Sequence, residues 1–158
     1  MKHELEKIRA SLLDRLLDDE PGVSQEPVRR QMATVRQIKA AVARDLENLL
    51  NSKNFYPALS PVYKELNGSL FVYGLPDFTS SNPRSPAVRF RLRQELVKAI
   101  ARFEPRLRDV NVRIEDTEEN ERNLRFKITA LLVLDPVTEP VTFDTVFDIN
   151  RCEYTVSK

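Results

Sequence analysis

The sequence predicts an α+β fold, in which N-terminal helices pack on a small antiparallel sheet of about three to four strands, with an N-terminal helical arm. Apolar residues recur at helical spacing as far as Phe103, and from Val110 onward they alternate with polar residues as in strands. Short turn segments separate the alternating runs, which favours an antiparallel meander. With 158 residues, 41% of them apolar, the chain is long enough to bury a core of its own.

The first predicted element is a short amphipathic helix, whose apolar positions are Leu5, Ile8, Leu12 and Leu16. Residues 18–27 combine acidic residues with two prolines and a glycine, a composition typical of a linker. A helix this short needs a surface to dock on, and the sequence leaves open whether its own chain or a neighbour supplies it. We therefore divide the chain into an arm with its acidic linker, residues 1–27, and an α+β domain, residues 28–158.

A second helix is predicted over residues 28–51, because the apolar residues there share one face: Val35, Ile38, Val42, Leu46, Leu49 and Leu50. The segment from Phe55 to Pro86 is interrupted by prolines and two glycines but is rich in aromatic residues. That combination predicts an irregular but ordered loop rather than a disordered one. We expect this loop to pack over the core, with a fixed turn at residues 74–77.

A third helix is predicted from Pro86 to Phe103, and it has two apolar faces. The main stripe consists of Val88, Leu92, Leu96, Ala99, Ile100 and Phe103. Phe90 and Val97 lie on a second, narrower ridge, and Arg102 lies on the polar strip between the two. A helix that is apolar on two sides must be covered twice, by its own domain or by another protein. Phe90, Val97 and Arg102 are therefore candidate partner-binding residues.

The third helix runs into the charged step Glu104-Pro105-Arg106. A glutamate two residues before an arginine, across a proline that stiffens the turn, predicts a structural ion pair. The competing interpretation makes Glu104 the acid of a glycosidase, with Asp109 or Asp144 as the second carboxylate. The ion pair is favoured because nothing in the sequence indicates a saccharide cleft.

Three strands are predicted after this step, over residues 110–115, 123–134 and 141–149. An acidic turn at residues 116–121 and a second turn at residues 135–140 connect them. One face of the sheet is expected to pack on the helices and the other to be largely solvated. Our hypothesis is that the hairpin of residues 123–149 presents an exposed edge at which a further strand can pair.

The charge balance argues against two classes of partner. A net charge of +1 creates no global field for nucleic acid or for an anionic membrane. The densest basic cluster, within residues 84–108, is divided around the third helix and interrupted by Glu95 and Glu104, so a solvated or partner-facing surface is favoured over phosphate binding. No apolar run reaches the length of a membrane span and no secretory signal is recognisable. We expect a cytoplasmic protein that binds no nucleic acid and does not insert into a membrane.

Residues suited to catalysis, metal binding or cofactor binding are nearly absent from the sequence. His3, the only histidine, lies at the N-terminus, and Cys152, the only cysteine, has no histidine near it. The chain contains three glycines, too few and too dispersed for a phosphate-binding loop. We predict no catalytic residues, no metal and no cofactor.

Four segments in order, spread over nearly the whole chain, resemble the TssE family of type VI secretion baseplate subunits. That family is similar to the baseplate wedge proteins of contractile phage tails, the lysozyme-like GPW family. The segments are residues 11–16 (SLLDRL), 44–51 (RDLENLLN), 73–77 (YGLPD) and 103–107 (FEPRL). Each segment alone is weak, but four in the right order are specific. The chain departs from the family pattern at Val72, where asparagine is expected.

The resemblance implies a non-enzymatic structural role at the base of the membrane-anchored secretion apparatus, on its cytoplasmic side. The implied partners are the baseplate subunits TssF, TssG and TssK and the sheath proteins TssB and TssC, with the sheath assembling by strand exchange with the sheet. Glu104, Pro105 and Arg106 match a family motif linked to sheath contact and assembly. Two alternatives remain open: a peptidoglycan-cleaving, lysozyme-like glycosidase and a generic protein-binding adaptor.

Overall fold

Helices precede strands along the chain, and this segregation is typical of an α+β fold. The computed structural model describes residues 34–56, 59–60, 62–78, 81–82, 85–115, 123–134 and 137–157. Its elements are helix α1 (Val35–Asn51), short helix α2 (Lys64–Gly68), a 3-10 turn (Leu70–Val72), helix α3 (Pro86–Phe103) and strands β1 (Leu107–Ile114), β2 (Leu124–Leu134), β3 (Val137–Asp148) and β4 (Glu153–Ser157). The predicted fold class is confirmed. The predicted arm, the linker, the boundary at residue 27 and the acidic turn lie outside the described residues.

Helix α1 begins with a reciprocal cap. The Gln37 backbone N–H donates to Thr34 Oγ1 at 3.3 Å, and the Thr34 N–H donates to Gln37 Oε1 at 2.8 Å. This capping box explains why the helix begins at Val35. The predicted apolar face is confirmed, since its buried residues are Ile38, Ala41, Val42, Ala43, Leu46, Leu49 and Leu50. The described residues divide into two units within α1, after Val42, and the elements that follow α1 all belong to the second unit.

The sheet is a four-stranded antiparallel meander in the order β1-β2-β3-β4. Strand β2 pairs with β3 along its whole length, from Leu124 opposite Phe147 to Leu134 opposite Val137. Strand β4, which the sequence did not single out, pairs with residues 144–148 of β3. The hypothesis that the 123–149 hairpin presents the edge is therefore wrong for β2 and for this part of β3. Within the described residues, the unpaired edges belong to β1, to β4 and to the first half of β3.

The two faces of the sheet differ as predicted. Strand β2 buries alternate residues: Leu124, Phe126, Ile128, Ala130, Leu132 and Leu134. On the opposite face Lys127 lies between Glu115 at 3.5 Å and Asp144 at 3.4 Å, and these side chains are exposed to solvent. A β-bulge lies in β1, where Asp109 has φ 52° and the register shifts between Arg108 and Asn111. The bulge interrupts the alternation of apolar and polar residues. The sequence pattern therefore predicted a strand only from Val110, although β1 begins at Leu107.

The described part of the loop between α1 and α3 packs on the core only in part, whereas the whole loop was expected to do so. Its exposed apolar and aromatic residues are Phe55, Tyr56, Val62, Tyr63, Leu66, Leu70 and Phe71, while Val72 and Leu75 are buried. Residues 64–71 form their backbone hydrogen bonds locally, in α2 and the 3-10 turn, and the chain meets the core from Val72 onward, where Asn54 Nδ2 donates to the Val72 carbonyl at 3.1 Å. Of the turn predicted over residues 74–77, the structure has a bend at Gly74, while Leu75 forms an isolated bridge with Lys53. Gly74 has φ 101°, and a Cβ there would clash with the Ser52 carbonyl oxygen.

Candidate functional site

The Glu-Pro-Arg step forms a sharp corner between α3 and β1. The Glu104 N–H donates to the Ile100 carbonyl at 2.9 Å as the last bond of the helix. Pro105 has no N–H and cannot continue a helix, so the chain turns at this point. The Leu107 N–H closes the turn on the Glu104 carbonyl at 3.0 Å, and the Val133 N–H then pairs with the Arg106 carbonyl at 2.8 Å. The corner therefore sets the direction in which β1 enters the sheet.

Arg106 joins three elements through one guanidinium group. Its Nε donates to Glu104 Oε1 at 2.5 Å, and its Nη2 donates to Glu104 Oε2 at 2.5 Å. The same Nη2 donates to Asp45 Oδ2 of helix α1 at 2.7 Å. The other oxygen of Asp45 accepts a hydrogen bond from Arg44 Nη2 at 3.1 Å. Bidentate pairs of this kind fix orientation as well as adding energy.

The corner network is partly shielded from water. The side chain of Glu104 is 5% exposed, whereas those of Arg106 and Asp45 are 29% and 27% exposed. Hydrogen bonding to Glu104 raises the pKa of Arg106 well above its ordinary value; burial opposes this rise and Asp45 reinforces it. Burial, followed by the negative charges of Asp45 and Glu104, raises the pKa of the Tyr73 hydroxyl. Arg106 is thus permanently charged and neutralises the buried carboxylate.

The predicted ion pair between Glu104 and Arg106 is confirmed, and its geometry is unfavourable for the glycosidase interpretation. Both oxygens of Glu104 accept hydrogen bonds from Arg106, whereas a general acid must carry a proton to the substrate. A cleft opens elsewhere, and Val88, Leu92 and Tyr154 are part of its lining. Neither Asp nor Glu lines that cleft, although glycosidases of this kind need two carboxylates.

The other predicted site residues are spread along α3. Arg102 is exposed, with its guanidinium carbon 6.0 Å from the centre of the Phe103 ring, and Pro105 is exposed on the corner itself. Phe90 is 57% exposed, and Val97 is half-buried. Phe90 and Arg102 lie about 18 Å apart along the helix axis. The structure therefore brings Glu104, Pro105 and Arg106 together, and leaves Phe90 as a separate exposed point.

Sequence reasoning missed two members of the corner, Asp45 and Tyr73. Tyr73 packs edge-on against Phe103 with 5.1 Å between ring centroids. Asp45, Tyr73 and Phe103 belong to three of the four segments that carry the family resemblance. Because one family resemblance rests on all of these segments, it could have indicated that they lie close together in the fold.

The basic cluster is divided in the structure. Lys98 pairs with Glu95 at 2.9 Å, Arg91 lies over the Phe78 ring at 5.9 Å, and Arg106 faces carboxylates. Over the part of the chain that the structure describes, no cluster of three or more His, Cys, Asp or Glu is arranged to hold a metal ion. None of the described helices is both long and apolar enough to cross a membrane.

A family model described as baseplate wedge protein gp25 matches residues 36–137. A chain from a solved structure, "The baseplate complex from the type VI secretion system", is similar with 17% identity and a TM-score of 0.48, covering 70% of this chain and 94% of that one. The comparison with curated proteins gives no match.

The family match includes α1 from its second residue, the loop with Gly74, the corner at Glu104-Pro105-Arg106 and the β1-β2 hairpin. Three of the four segments that carry the resemblance, residues 44–51, 73–77 and 103–107, lie inside it. Since the match extends over more than half of the chain, the protein belongs to the gp25 family of baseplate wedge proteins.

Proposed function

We propose that this chain is a non-enzymatic structural component of the type VI secretion baseplate, which bridges the wedge to the first ring of the contractile sheath and promotes sheath assembly. Membership of the wedge family supports the baseplate role. The four ordered segments favour the type VI branch of that family. On this proposal TssF, TssG and TssK contact the protein within the wedge, and TssB and TssC contact it from the sheath. The assembly lies at the cytoplasmic base of the membrane-anchored apparatus.

The observation that carries the proposal is the corner network. It links α1 through Asp45, the end of α3 through Glu104 and the start of β1 through Arg106. A strand arriving from another protein pairs at a lower entropic cost when the accepting strand already has a fixed direction. Fixing that direction in the free protein reduces the ordering cost of association. The corner is therefore suited to holding a sheet ready for strand addition.

We further propose that the outer surface of α3 contacts the partners. Phe90 is 57% exposed and Arg102 is exposed near the corner. Aromatic and arginine side chains are enriched among the residues that dominate binding energy at protein interfaces. Pro105 adds a rigid, exposed apolar contact between Arg102 and the sheet. A partner that covers this surface would satisfy the second apolar ridge of the helix.

Capture of co-expressed TssF and TssG on the tagged protein, followed by sheath assembly with TssB and TssC, tests this function. Arg102→Glu and Phe90→Ser should each weaken capture about tenfold or more while leaving the thermal unfolding midpoint near that of the wild type. Arg151→Glu is the matched control, because Arg151 is an exposed arginine in the turn between β3 and β4, outside helix α3. Equal capture by all four proteins would refute the proposed surface.

Charge reversal at Arg106 is a poor test of assembly, contrary to a simple interpretation of the motif. In Arg106→Glu the new carboxylate would face Glu104 and Asp45 at the position where the guanidinium now neutralises both. The variant should therefore be destabilised, and a loss of assembly in it would not show that Arg106 contacts a partner.

Peptidoglycan turnover that disappears in Glu104→Gln would instead support the glycosidase. Stable association with an unrelated protein, and none with TssF and TssG, would support the adaptor.

A further inference from the structure

The cleft that Tyr154 borders is formed by the first two turns of α3, the start of β2, the end of β3 and the turn that leads into β4. Its apolar lining consists of Phe78, Val88, Leu92, Leu124, Phe147 and Ile149. Sites for small molecules are usually apolar and carry a few polar groups that fix the orientation of the ligand. The polar groups of this cleft therefore decide what it can bind.

Tyr154 brings a hydroxyl without a partner to this cleft. The residue is 8% exposed, and its ring packs on Phe147 with 4.5 Å between ring centroids. Its backbone is paired with Asn51, whose Oδ1 accepts from the Tyr154 N–H at 2.7 Å and whose Nδ2 donates to the Tyr154 carbonyl at 2.9 Å. The hydroxyl makes no hydrogen bond to any residue that the structure describes. Buried polar groups normally have a partner, so a ligand in the cleft can supply the one that is missing.

Cys152 indicates where the hydroxyl lies. Burial, followed by the negative charge of Cys152, raises the pKa of the Tyr154 hydroxyl. Cys152 lines the same cleft and is exposed. The hydroxyl and the thiol therefore border the same space. Because its pKa is raised, the hydroxyl of Tyr154 keeps its proton at neutral pH and can donate it in a hydrogen bond.

The charge in the cleft favours an anionic ligand. Arg89 is the only charged side chain among the described residues of the lining. A guanidinium group has five N–H donors, so Arg89 can serve a ligand in addition to the interaction that it makes within the protein. A carboxylate can accept hydrogen bonds from both Arg89 and Tyr154, and bonds to an ionised acceptor are the stronger kind. An ammonium group would meet a cation instead.

We propose that this cleft binds a small apolar carboxylate, of the class of short-chain fatty acids, with its chain against the apolar lining and its carboxylate on Tyr154 and Arg89. The lining contributes affinity for any short alkyl chain, whereas the hydroxyl and the guanidinium discriminate between end groups. The site shares no residue with the corner network, and the inference does not depend on the proposed baseplate role.

Calorimetric titration of the full-length protein with hexanoate, and with hexylamine as the cation of the same chain length, tests the proposal. Hexanoate should bind with a Kd of about 1 mM and about tenfold more tightly than hexylamine. Tyr154→Phe keeps the ring and should weaken hexanoate binding about tenfold. Tyr63→Phe is the matched control, because Tyr63 is exposed and does not line the cleft. Equal affinity for the two probes, or equal binding of hexanoate by the two variants, would overturn the proposal.

Alkylation of Cys152 by iodoacetamide gives a second measure of occupancy, because Cys152 is the only cysteine of the chain. At about 5 mM hexanoate the alkylation rate should fall about fivefold, and the same concentration of hexylamine should leave it nearly unchanged. An alkylation rate that hexanoate does not change would overturn the proposal. If Cys152 is already protected without a probe, another part of the protein covers the cleft, and that result would overturn the proposal as well.

Discussion

Replacing Arg106 by methionine should destabilise the domain severely, because the buried carboxylate of Glu104 would lose its counter-ion. Glu104 is 5% exposed and would lose both hydrogen bonds to the guanidinium. Removing one partner of such a pair costs about 3 to 5 kcal/mol. Asp45 adds less than about 1 kcal/mol, since it is 27% exposed and keeps Arg44 at 3.1 Å. Methionine retains the apolar stem, so the expected total is about 4 kcal/mol.

Urea unfolding at neutral pH measures this loss. With a slope of about 2 kcal/mol per molar urea for a domain of this size, the midpoint of Arg106→Met should fall by about 2 M. The double variant Glu104→Gln/Arg106→Met removes the orphaned charge, and should recover about 2 kcal/mol or more of that loss. A midpoint shift below about 0.5 M in Arg106→Met would refute the reasoning. Additive losses in the double variant would refute it equally.

Three further predictions concern the domain around the corner. Gly74→Ala should destabilise by more than about 2 kcal/mol in thermal or urea unfolding, because its φ is positive and the added Cβ would meet Ser52; Gly68→Ala, which meets nothing within 4 Å, should not. Thr145→Val should stabilise by up to about 1 kcal/mol in the same assay, because Thr145 Oγ1 is buried without a hydrogen-bond partner among the described residues. Burial raises the pKa of Tyr154 above the ordinary tyrosine value of about 10, so the contribution of Tyr154 to the free energy of unfolding is fully present below about pH 10 and is lost as the pH rises further. The decline in stability between about pH 8 and pH 11, measured by urea unfolding, should therefore be smaller in Tyr154→Phe than in the wild type.

The spacing of apolar residues was sufficient to predict the elements whose buried face is formed by residues close together in the sequence. The main stripe of α3 and the alternation of β2 follow from the spacing of apolar residues, and Leu96 and Ile128 are fully buried as expected. Strand β4 escaped prediction because it is five residues long and its core-facing contribution is Tyr154. So short a run is stabilised by pairing with β3 rather than by its own pattern.

The contacts of the site were harder to predict because they are non-local. Arg106 and Asp45 are separated by 61 residues, and no local pattern indicates that they meet. Composition also says how apolar a segment is but not which way it faces. Phe55 and Leu70 are 81% and 79% exposed in a segment that was expected to cover the core. The pairing of Glu104 with Arg106, two residues apart, could be predicted because sequence proximity brings them together.

The side-chain amide of Asn51 closes the outer edge of β4 through two hydrogen bonds with the Tyr154 backbone, and this affects how the chain folds during its synthesis. The Tyr154 N–H donates to Asn51 Oδ1 across 103 residues, and the Val156 N–H donates to Glu47 Oε2 across 109 residues, so both bonds can form only after residue 156 has been translated. Until then β3 lacks its last neighbour, and a nascent chain exposes an edge that can pair with another copy. Loss of β4 should therefore leave residues 144–148 of β3 without their neighbour and promote aggregation.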